Sequence, residues 1–308
     1  MKYLFGPVNS RRLGLSQGID LIPSKICNFN CIYCEVGPTV CLTCERREYF
    51  PTSEIIAEID ALLADPGAAA LDVFTVTASG EPTLHSGLGR VIRHIKEKAA
   101  RPVAVLTNGS TFHLPEVRAE LMAADLVIPS LDAARPESYR RINRPANCAV
   151  LDDIVDGLIR FVAEFSGEVW LEILLAKGIN DSEEDIAALV ETVAKIGPAR
   201  VQLNTVVRPP LEAFARPLDR AAMEAVAGRF DGRVEIIADF SRREQRAFRP
   251  LAEAEIVEML KRRPCTAVDI GEALHFDPAL TAAALARLVA SGAVRRSEHV
   301  GKTYYQTN

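Results

Sequence analysis

Short apolar segments rich in β-branched residues alternate with longer amphipathic segments through most of the chain. The strand-like runs are GIDLIP, DVFTVT, PVAVLT, DLVIPSL, VWLEILLA and RVQLNTVV, and helical patterns such as LGRVIRHIKEKAA and SEEDIAALVETVAKIG lie between them. Strands joined by helices of this length form right-handed βαβ units, in which the strands run parallel. About six such units predict an α/β fold, a partial (β/α)6 TIM-like barrel.

The chain changes character near residue 240. Residues 241–250, SRREQRAFRP, are polar and basic and end on a proline, which predicts a linker between a barrel domain at 1–240 and a smaller domain at 251–308. The smaller domain has the pattern of three short amphipathic helices followed by a hairpin that turns near Gly301. That order predicts a winged helix-turn-helix-like domain, and a helical cap on the barrel is the alternative.

Three cysteines stand in the string CNFNCIYC, directly after the first predicted strand. Cys27, Cys31 and Cys34 have the spacing C-x3-C-x2-C. Three thiolates on one loop can hold three irons of a [4Fe–4S] cube and leave the fourth iron open to a non-protein ligand. Zinc sites favour paired C-x2-4-C units, so the triplet fits zinc poorly, although Cys41 and Cys44 form such a pair downstream.

The chain has seven cysteines, and their use depends on the compartment. No stretch of about 18 uncharged apolar residues occurs, and the N-terminus lacks the apolar core of a signal peptide, so we expect a cytoplasmic protein with no membrane contact. In a reducing compartment the cysteines indicate metal binding or catalysis rather than disulfides. A second metal site would need Cys148 or Cys265 to approach Cys41 and Cys44; small buried cysteines are the alternative.

With Tyr33 directly before its last cysteine, the triplet resembles the signature of the radical S-adenosylmethionine (radical SAM) superfamily. Residues 5–37 further resemble bacterial and archaeal Fe–S oxidoreductases related to the radical SAM part of wybutosine-synthesis enzymes. The superfamily likeness spans roughly residues 15–240. It implies a [4Fe–4S] cluster and SAM as cofactors, with Tyr33 as one of the residues that contact them. It also implies an enzyme that cleaves SAM reductively to a 5′-deoxyadenosyl radical, which abstracts hydrogen from a substrate.

A second motif, TASGEPTL, follows the strand DVFTVT. In radical SAM proteins a Gly-Glu-Pro segment at this place holds the amino group of SAM, chiefly through backbone carbonyls. The resemblance implies that Ser79, Gly80, Glu81 and Pro82 bind SAM, with serine where the commoner form has glycine. Gly80 allows a close backbone approach to a ligand, and Pro82 stiffens the exit of the loop.

Polar residues at the ends of the next two strands complete the predicted cofactor site. Asn108 lies in TNGS, and Ser130 and Asp132 lie in SLDA, which resembles a superfamily string. In parallel barrels the chemistry lies at the carboxyl ends of the strands. These side chains can hydrogen-bond to a ribose hydroxyl or a methionyl carboxylate. Turn formation and helix capping are the alternative roles, and for Asn108 the two interpretations are equally supported.

Substrate contacts are predicted on the later strands of the barrel. Glu172 interrupts the apolar strand VWLEILLA, and a charged residue there is expected to face the barrel interior. Asn204 and Arg208 follow the sixth strand in QLNTVVRPP, which would place them across the barrel mouth from the cysteines.

The substrate class is the least determined part of the prediction. Residues 241–308 carry 11 Lys and Arg against 8 Asp and Glu, although the chain has a net charge of −5, and a mildly basic winged helix is compatible with nucleic acid. The wybutosine likeness makes tRNA a candidate substrate; the alternatives are a glycyl-radical-enzyme activase or a peptide-modifying enzyme with a protein partner. A redox-sensing, nucleic-acid-binding Fe–S regulator would not need the Gly-Glu-Pro loop. The enzyme would need an electron donor such as flavodoxin or ferredoxin.

Overall fold

The computed structural model describes residues 2–10, 12–237, 248 and 250–307. Its strands, in chain order, are β1 (Leu4–Ser10), β2 (Gly14–Asp20), β3 (Ile26–Cys27), β4 (Cys41–Leu42), β5 (Val73–Thr77), β6 (Val103–Thr107), β7 (Leu126–Pro129), β8 (Glu168–Leu175), β9 (Arg200–Thr205), β10 (Val234–Ile236), β11 (Val294–His299) and β12 (Lys302–Thr307). Its α-helices are α1 (Thr52–Leu63), α2 (Leu88–Lys98), α3 (Pro115–Leu121), α4 (Pro136–Asn143), α5 (Leu151–Glu164), α6 (Glu183–Ile196), α7 (Arg220–Ala227), α8 (Glu253–Arg262), α9 (Ala267–Leu274) and α10 (Pro278–Ala290). The predicted linker lies outside the described residues apart from Phe248 and Pro250, and the domain boundaries stay a prediction.

Eight strands form one sheet in the order β1-β2-β5-β6-β7-β8-β9-β10. The seven strands from β2 to β10 in this order are parallel, and β1 pairs antiparallel with β2 at one edge. At least one α-helix lies between each parallel strand and the next, so the six predicted βα units are confirmed as a partial barrel. The carboxyl ends of the parallel strands meet at one rim, where such barrels place their chemistry.

Strands such as β2, β5 and β6 are buried on both faces, as expected of parallel strands covered by helices, whereas β8 alternates between buried and half-buried residues. In β5, Phe74 and Val76 lie on the same face and have no exposed surface. Thr75, between them, lies on the opposite face, lines a cavity and is also buried. The helices cover the outer face through apolar stripes such as Val91 and Ile95 of α2. Among the described residues, no helix is long and apolar enough to cross a membrane.

Strand β1 carries no signal that sequence patterns could separate from a loop. Its Phe5 ring lies on Gly18 of β2, where an added Cβ would meet ring carbons at 2.2–2.4 Å. The guanidinium carbon of Arg262, from α8, lies 3.9 Å from the centroid of the same ring. Gly18 is therefore the residue that lets the Phe5 ring and the Arg262 side chain occupy the open edge of the barrel.

The C-terminal unit, residues 250–307, has a core of its own. Helices α8, α9 and α10 and strand β11 supply its buried side chains, among them Ile256, Leu260, Ile270, Leu285 and Val294. β11 and β12 pair antiparallel through a turn at Val300 and Gly301, both left-handed. The predicted order of three helices and a hairpin is present; the winged-helix assignment stays a prediction. The unit packs on β1, and Tyr304 donates a hydrogen bond to the carbonyl of Val207, which follows β9.

Gly157 lies on the inner face of α5, against the loop that follows β6. A Cβ at this position would lie 2.4 Å from His113 N and 2.5 Å from Phe112 C. We predict that Gly157→Ala lowers the free energy of unfolding by about 1–3 kcal/mol, because overpacking against a backbone outweighs the better helix propensity of alanine. Urea denaturation measures this change.

Gly228→Ala is the matched control. Gly228 follows α7 at φ −67°, and the nearest atom to an added Cβ is 3.6 Å away. Alanine fits there without strain, so the change should be neutral or stabilise the protein by up to about 1 kcal/mol. Equal losses of stability from the two changes would contradict the role given to the close packing of Gly157.

Candidate active site

A cavity of about 370 Å³ opens at the carboxyl ends of the parallel strands. The predicted site residues that line it are Cys27, Cys31, Tyr33, Cys34, Ser79, Gly80, Glu81, Asn108, Ser130, Glu172, Asn204 and Arg208. Pro82 and Asp132 are buried outside this lining. The fold therefore brings the cysteine triplet, the predicted SAM loop and the predicted substrate residues to one cavity.

The cysteine loop and the Gly-Glu-Pro loop are joined through their backbones. Lys25 N donates to Ser79 O at 2.7 Å, and Glu81 N donates to Ile26 O at 3.1 Å. A Cβ on Gly80 would lie 1.9 Å from the Ile26 carbonyl oxygen, so no other residue fits there without moving one of the loops. Gly80 was expected to allow a close backbone approach to a ligand. In the part of the chain that the structure describes, it allows a close approach to the cysteine loop.

Each of the three cysteine sulfurs has a hydrogen-bond donor beside it. Lys25 Nζ is 3.0 Å from Cys34 Sγ, and Asn143 Nδ2 is 3.5 Å from Cys31 Sγ. Cys27 Sγ faces the backbone N–H of Phe29 at 3.4 Å and Asn108 Nδ2 at 3.8 Å. Donors of this kind stabilise thiolates that are bound to a metal.

The three cysteines are partly buried in the wall of the cavity. Burial raises the pKa of Cys27 to about 12 and the pKa of Cys31 well above its usual range. A metal that binds these thiols takes the place of their protons. No three His, Cys, Asp or Glu side chains converge on a single metal ion among the described residues, but in a cube each thiolate binds its own iron. The donor set fits a [4Fe–4S] cluster.

Glu81 directs its carboxylate into the protein. It is 1% exposed and accepts hydrogen bonds from the Thr107 hydroxyl at 2.6 Å, the Thr83 hydroxyl at 2.6 Å and the Asn108 N–H at 2.7 Å. Burial raises the pKa of Glu81, whereas these hydrogen bonds oppose the rise. The side chain ties the loop after β5 to the loop after β6, and the backbone is left to face the cavity. Pro82 begins the short 3-10 turn that follows.

Asp132, predicted to contact SAM, lies beside the cysteine loop, and its contact with SAM stays a prediction. Its carboxylate accepts hydrogen bonds from the Tyr33 hydroxyl at 2.6 Å, Asn143 Nδ2 at 2.7 Å and the Leu174 N–H at 2.9 Å. Burial raises the pKa values of Asp132 and Tyr33. Because three donors hold the carboxylate inward, Asp132 reaches the site through Asn143, which borders Cys31, and through Tyr33, whose ring lines the cavity.

Asn108 and Ser130 border the cavity at the ends of β6 and β7. The Asn108 amide donates to Asn28 Oδ1 at 2.7 Å and accepts from the Ser110 N–H at 3.0 Å, so it also holds the cysteine loop. Ser130 N donates to Thr107 O at 3.1 Å, and its side chain is partly exposed. Asn108 therefore has a structural role, which was the alternative to ligand contact. It also lines the cavity.

The later strands contribute a network of charged side chains. Glu172 faces the barrel interior and accepts hydrogen bonds from Arg12 Nη1 at 2.7 Å and Asn204 Nδ2 at 3.1 Å. Arg208 pairs with Glu35, directly after Cys34, at 2.9 Å. Neither Arg12 nor Glu35 stands in a motif, and only the folded chain shows that they bind residues more than 150 positions away.

A second cavity, of about 570 Å³, lies between the barrel and the C-terminal unit. It shares part of its wall with the first, including Ser79 and Arg208. At this junction Arg262 Nη1 donates to Asp20 Oδ2 at 2.7 Å, and the same carboxylate accepts from the Ser79 hydroxyl at 2.7 Å and the Ser79 N–H at 3.1 Å. Asp20, at the end of β2, thereby links the C-terminal unit to the predicted SAM loop.

The cysteines outside the triplet do not assemble as a metal site. Cys44 and Cys148 form a disulfide, so the expectation that the chain has no disulfides is wrong. The disulfide joins cysteines 104 positions apart in the chain. Ala146 N donates to Asn28 O at 2.8 Å, and this pairing brings the segment before Cys148 to the cysteine loop. Cys41 is exposed, and Cys265 is buried in the core of the C-terminal unit.

The chain matches one family model and is similar to several known proteins. The family model described as the radical SAM superfamily matches residues 21–190. The chain is 38% identical over its whole length to a protein named GTPase Obg from Brachyspira hyodysenteriae, of which it spans 45%. It is 30% identical to a UPF0026 protein of Methanocaldococcus jannaschii and covers 97% of it. A crystal structure of a radical SAM methyltransferase from Sphaerobacter thermophilus superposes with a TM-score of 0.57 over 72% of this chain and 66% of that one, at 17% identity.

A partial parallel barrel with three cysteines at its carboxyl rim fits an iron–sulfur enzyme. The chain belongs to the radical SAM superfamily. Its cofactors are accordingly a [4Fe–4S] cluster and SAM, which the donor set at the rim fits. The narrower likeness to wybutosine-synthesis relatives stays a prediction.

The hydrogen bonds of Asp20 generate a prediction about cofactor affinity. Asp20→Asn keeps the size of the side chain but removes the charge that Arg262 and Ser79 share. A buried hydrogen bond to a charged group contributes about 1.5–3 kcal/mol, so we predict at least about tenfold weaker SAM binding by the cluster-loaded protein. Isothermal titration of SAM into the cluster-loaded variant measures the affinity.

Asp60→Asn is the control for this change. Asp60, in α1, pairs with His94 of α2, and neither residue lines either cavity. Its replacement should leave the affinity for SAM unaltered. An unchanged affinity in Asp20→Asn would show that the Ser79 loop does not depend on this carboxylate.

Proposed function

We propose that the protein cleaves SAM at the rim cavity and removes a hydrogen atom from a substrate held in the adjoining cavity beneath the C-terminal unit. The observation that supports this most strongly is the convergence of three cysteines and the Gly-Glu-Pro loop on one wall. When bound, the cluster and SAM supply a 5′-deoxyadenosyl radical after one-electron reduction. The chain itself binds, orients and shields these groups.

The rim residues divide this work. Cys27, Cys31 and Cys34 would hold the cluster, and the backbone of residues 79–82 would hold the amino end of SAM. Asn108 and Ser130 offer hydrogen bonds to its carboxylate or ribose. Asp132 positions Tyr33 and Asn143 from below.

The substrate would lie against the later strands and the C-terminal unit. Glu172, Asn204 and Arg208 border the rim cavity, and Arg208 also borders the larger one. A cavity of about 570 Å³ is of the size that encloses a small molecule or one residue of a polymer. We further propose that the enzyme works in the cytoplasm with a reduced flavodoxin or ferredoxin as electron donor.

Single cysteine variants test the assignment of the cluster. We predict that Cys27→Ala, Cys31→Ala and Cys34→Ala each lose the cluster and the release of 5′-deoxyadenosine from SAM under dithionite, because each removes one iron ligand. Iron and sulfide content, the electron paramagnetic resonance signal of the reduced cluster, and chromatography of the nucleoside product measure the effect.

Cys41→Ala is the matched control, since Cys41 is a free, exposed cysteine seven positions beyond Cys34. It should retain both the cluster and deoxyadenosine release. Wild-type protein with an intact cluster and no deoxyadenosine would favour the redox-regulator alternative over the enzyme.

Two candidate substrate classes differ in what the C-terminal unit should bind. Its hairpin exposes Arg295, Arg296 and Lys302, which favours an RNA such as tRNA through phosphate contacts.

The exposed face of α10 is made largely of alanines, and its single basic residue, Arg287, pairs with Glu253 at 2.6 Å. A helix that reads nucleic acid presents polar side chains to it. The α10 face therefore favours a protein partner, as a peptide-modifying enzyme or a glycyl-radical-enzyme activase would have.

Charge reversal in the hairpin distinguishes these candidates. If tRNA is the substrate, Arg295→Glu with Arg296→Glu weakens binding of bulk tRNA to the full-length protein. The slope of log affinity against log salt concentration then falls by about one for each phosphate that the protein no longer neutralises. Fluorescence anisotropy over a range of salt concentrations measures both quantities.

The control carries two charge reversals of the same kind in the barrel domain, Arg220→Glu with Arg229→Glu. Both arginines are exposed, and each pairs with a glutamate. Equal binding by the two double variants would remove the hairpin from any RNA interface. Absence of tRNA binding by the wild type at low salt would favour the protein-partner candidate.

A further inference from the structure

Lys25 is a buried cation whose side chain ends at the cysteine triplet. It is 6% exposed, and its Nζ donates to Cys34 Sγ at 3.0 Å. Lysine is almost never buried to this extent without a paired charge. Here the acceptor is a sulfur atom, which carries the compensating negative charge when Cys34 is a thiolate.

The backbone of Lys25 indicates that its side chain has a role. Its φ is +63°, in the left-handed region that glycine and asparagine adopt most readily. The conformation is fixed by a hydrogen bond from Lys25 N to Ser79 O at 2.7 Å and by bonds from Val40 N and Cys41 N to Lys25 O at 2.9 and 3.1 Å. These backbone hydrogen bonds would suit glycine, so what lysine adds at this position is the ammonium group beside Cys34.

The donor that Lys25 provides differs in charge from those at the other two cysteines. Cys31 faces an amide of Asn143, and Cys27 faces a backbone N–H and the amide of Asn108; these donors are neutral. Hydrogen bonds from a charged donor are shorter and roughly twice as strong. The effect is further increased by burial, because the surroundings screen the charge less than water does.

We propose that Lys25 is a positioning and tuning residue that raises the reduction potential of the cluster through Cys34. The proposal rests on the function proposed above. Reduction adds one electron from a one-electron donor, dithionite in vitro, and neither a proton nor a ligand changes place. The added negative charge spreads onto the cysteine sulfurs, so a nearby ammonium group stabilises the reduced form more than the oxidised form.

Replacing the charge tests the proposal. Lys25→Met retains the length and burial of the side chain without its charge, and we expect the equilibrium constant for cluster reduction to fall at least about tenfold, which is 59 mV for one electron. Lys25→Arg keeps the charge and should stay closer to the wild type than Lys25→Met. Redox titration followed by electron paramagnetic resonance, without SAM, measures the potential, and thermal unfolding of each variant is recorded beside it.

Lys96→Met is the matched control, because Lys96 lies on α2 and pairs with Asp125 at 2.7 Å, away from the cysteine loop. It should leave the potential unchanged. A wild-type protein without a cluster would overturn the proposed function itself. A cluster whose potential is the same in wild type and Lys25→Met would overturn only the role of Lys25. If Lys25→Met and Lys25→Gln both fail to hold iron, Lys25 is a structural requirement and the tuning role is overturned as well.

Discussion

The backbone pairing between the cysteine loop and the Gly-Glu-Pro loop is the interaction on which the site depends. Two hydrogen bonds, Lys25 N to Ser79 O and Glu81 N to Ile26 O, place the cluster ligands beside the loop that would hold SAM. Gly80 sets the separation, because a Cβ there would lie 1.9 Å from Ile26 O. Cys27, Cys31 and Cys34 would hold the cluster and the backbone of residues 79–82 would hold SAM, and this pairing places the two sets of residues side by side.

Three buried carboxylates hold the loops in this arrangement. Asp20 holds Ser79, Glu81 ties the loop after β5 to that after β6, and Asp132 supports Tyr33 and Asn143 under the cysteines. Each lies at the carboxyl end of a parallel strand or in the loop that follows it, and each is satisfied by two or more donors. A fully satisfied buried network is rigid. Acidic side chains therefore lie where the motifs predicted ligand contacts. Their hydrogen bonds fix the backbone that would make those contacts.

The barrel was predictable from sequence because most of its strands are continuous apolar runs and its helices are amphipathic, so the two kinds of element leave different signals. The cysteine triplet and Gly80 were predictable because a cluster and a close backbone approach admit few other residues. The direction in which a side chain points was not predictable. Asp132 follows its strand as expected, but hydrogen bonds from Tyr33, Asn143 and the backbone of Leu174 hold its carboxylate inside the protein. Arg12, Asn143 and Arg262 act through partners 112 to 242 positions away, and no local pattern records such pairings.

The C-terminal unit is part of the site rather than an appendage to it. Its Arg262 stacks on Phe5, which requires Gly18, and pairs with Asp20, which holds Ser79. The same helix forms a wall of the larger cavity, so a substrate there would lie between the C-terminal unit and the SAM loop. Any partner that shifts α8 would change the hydrogen bonds of Asp20 and, through it, the position of Ser79. Asp20 is therefore the residue through which the position of α8 bears on the loop that contains Ser79.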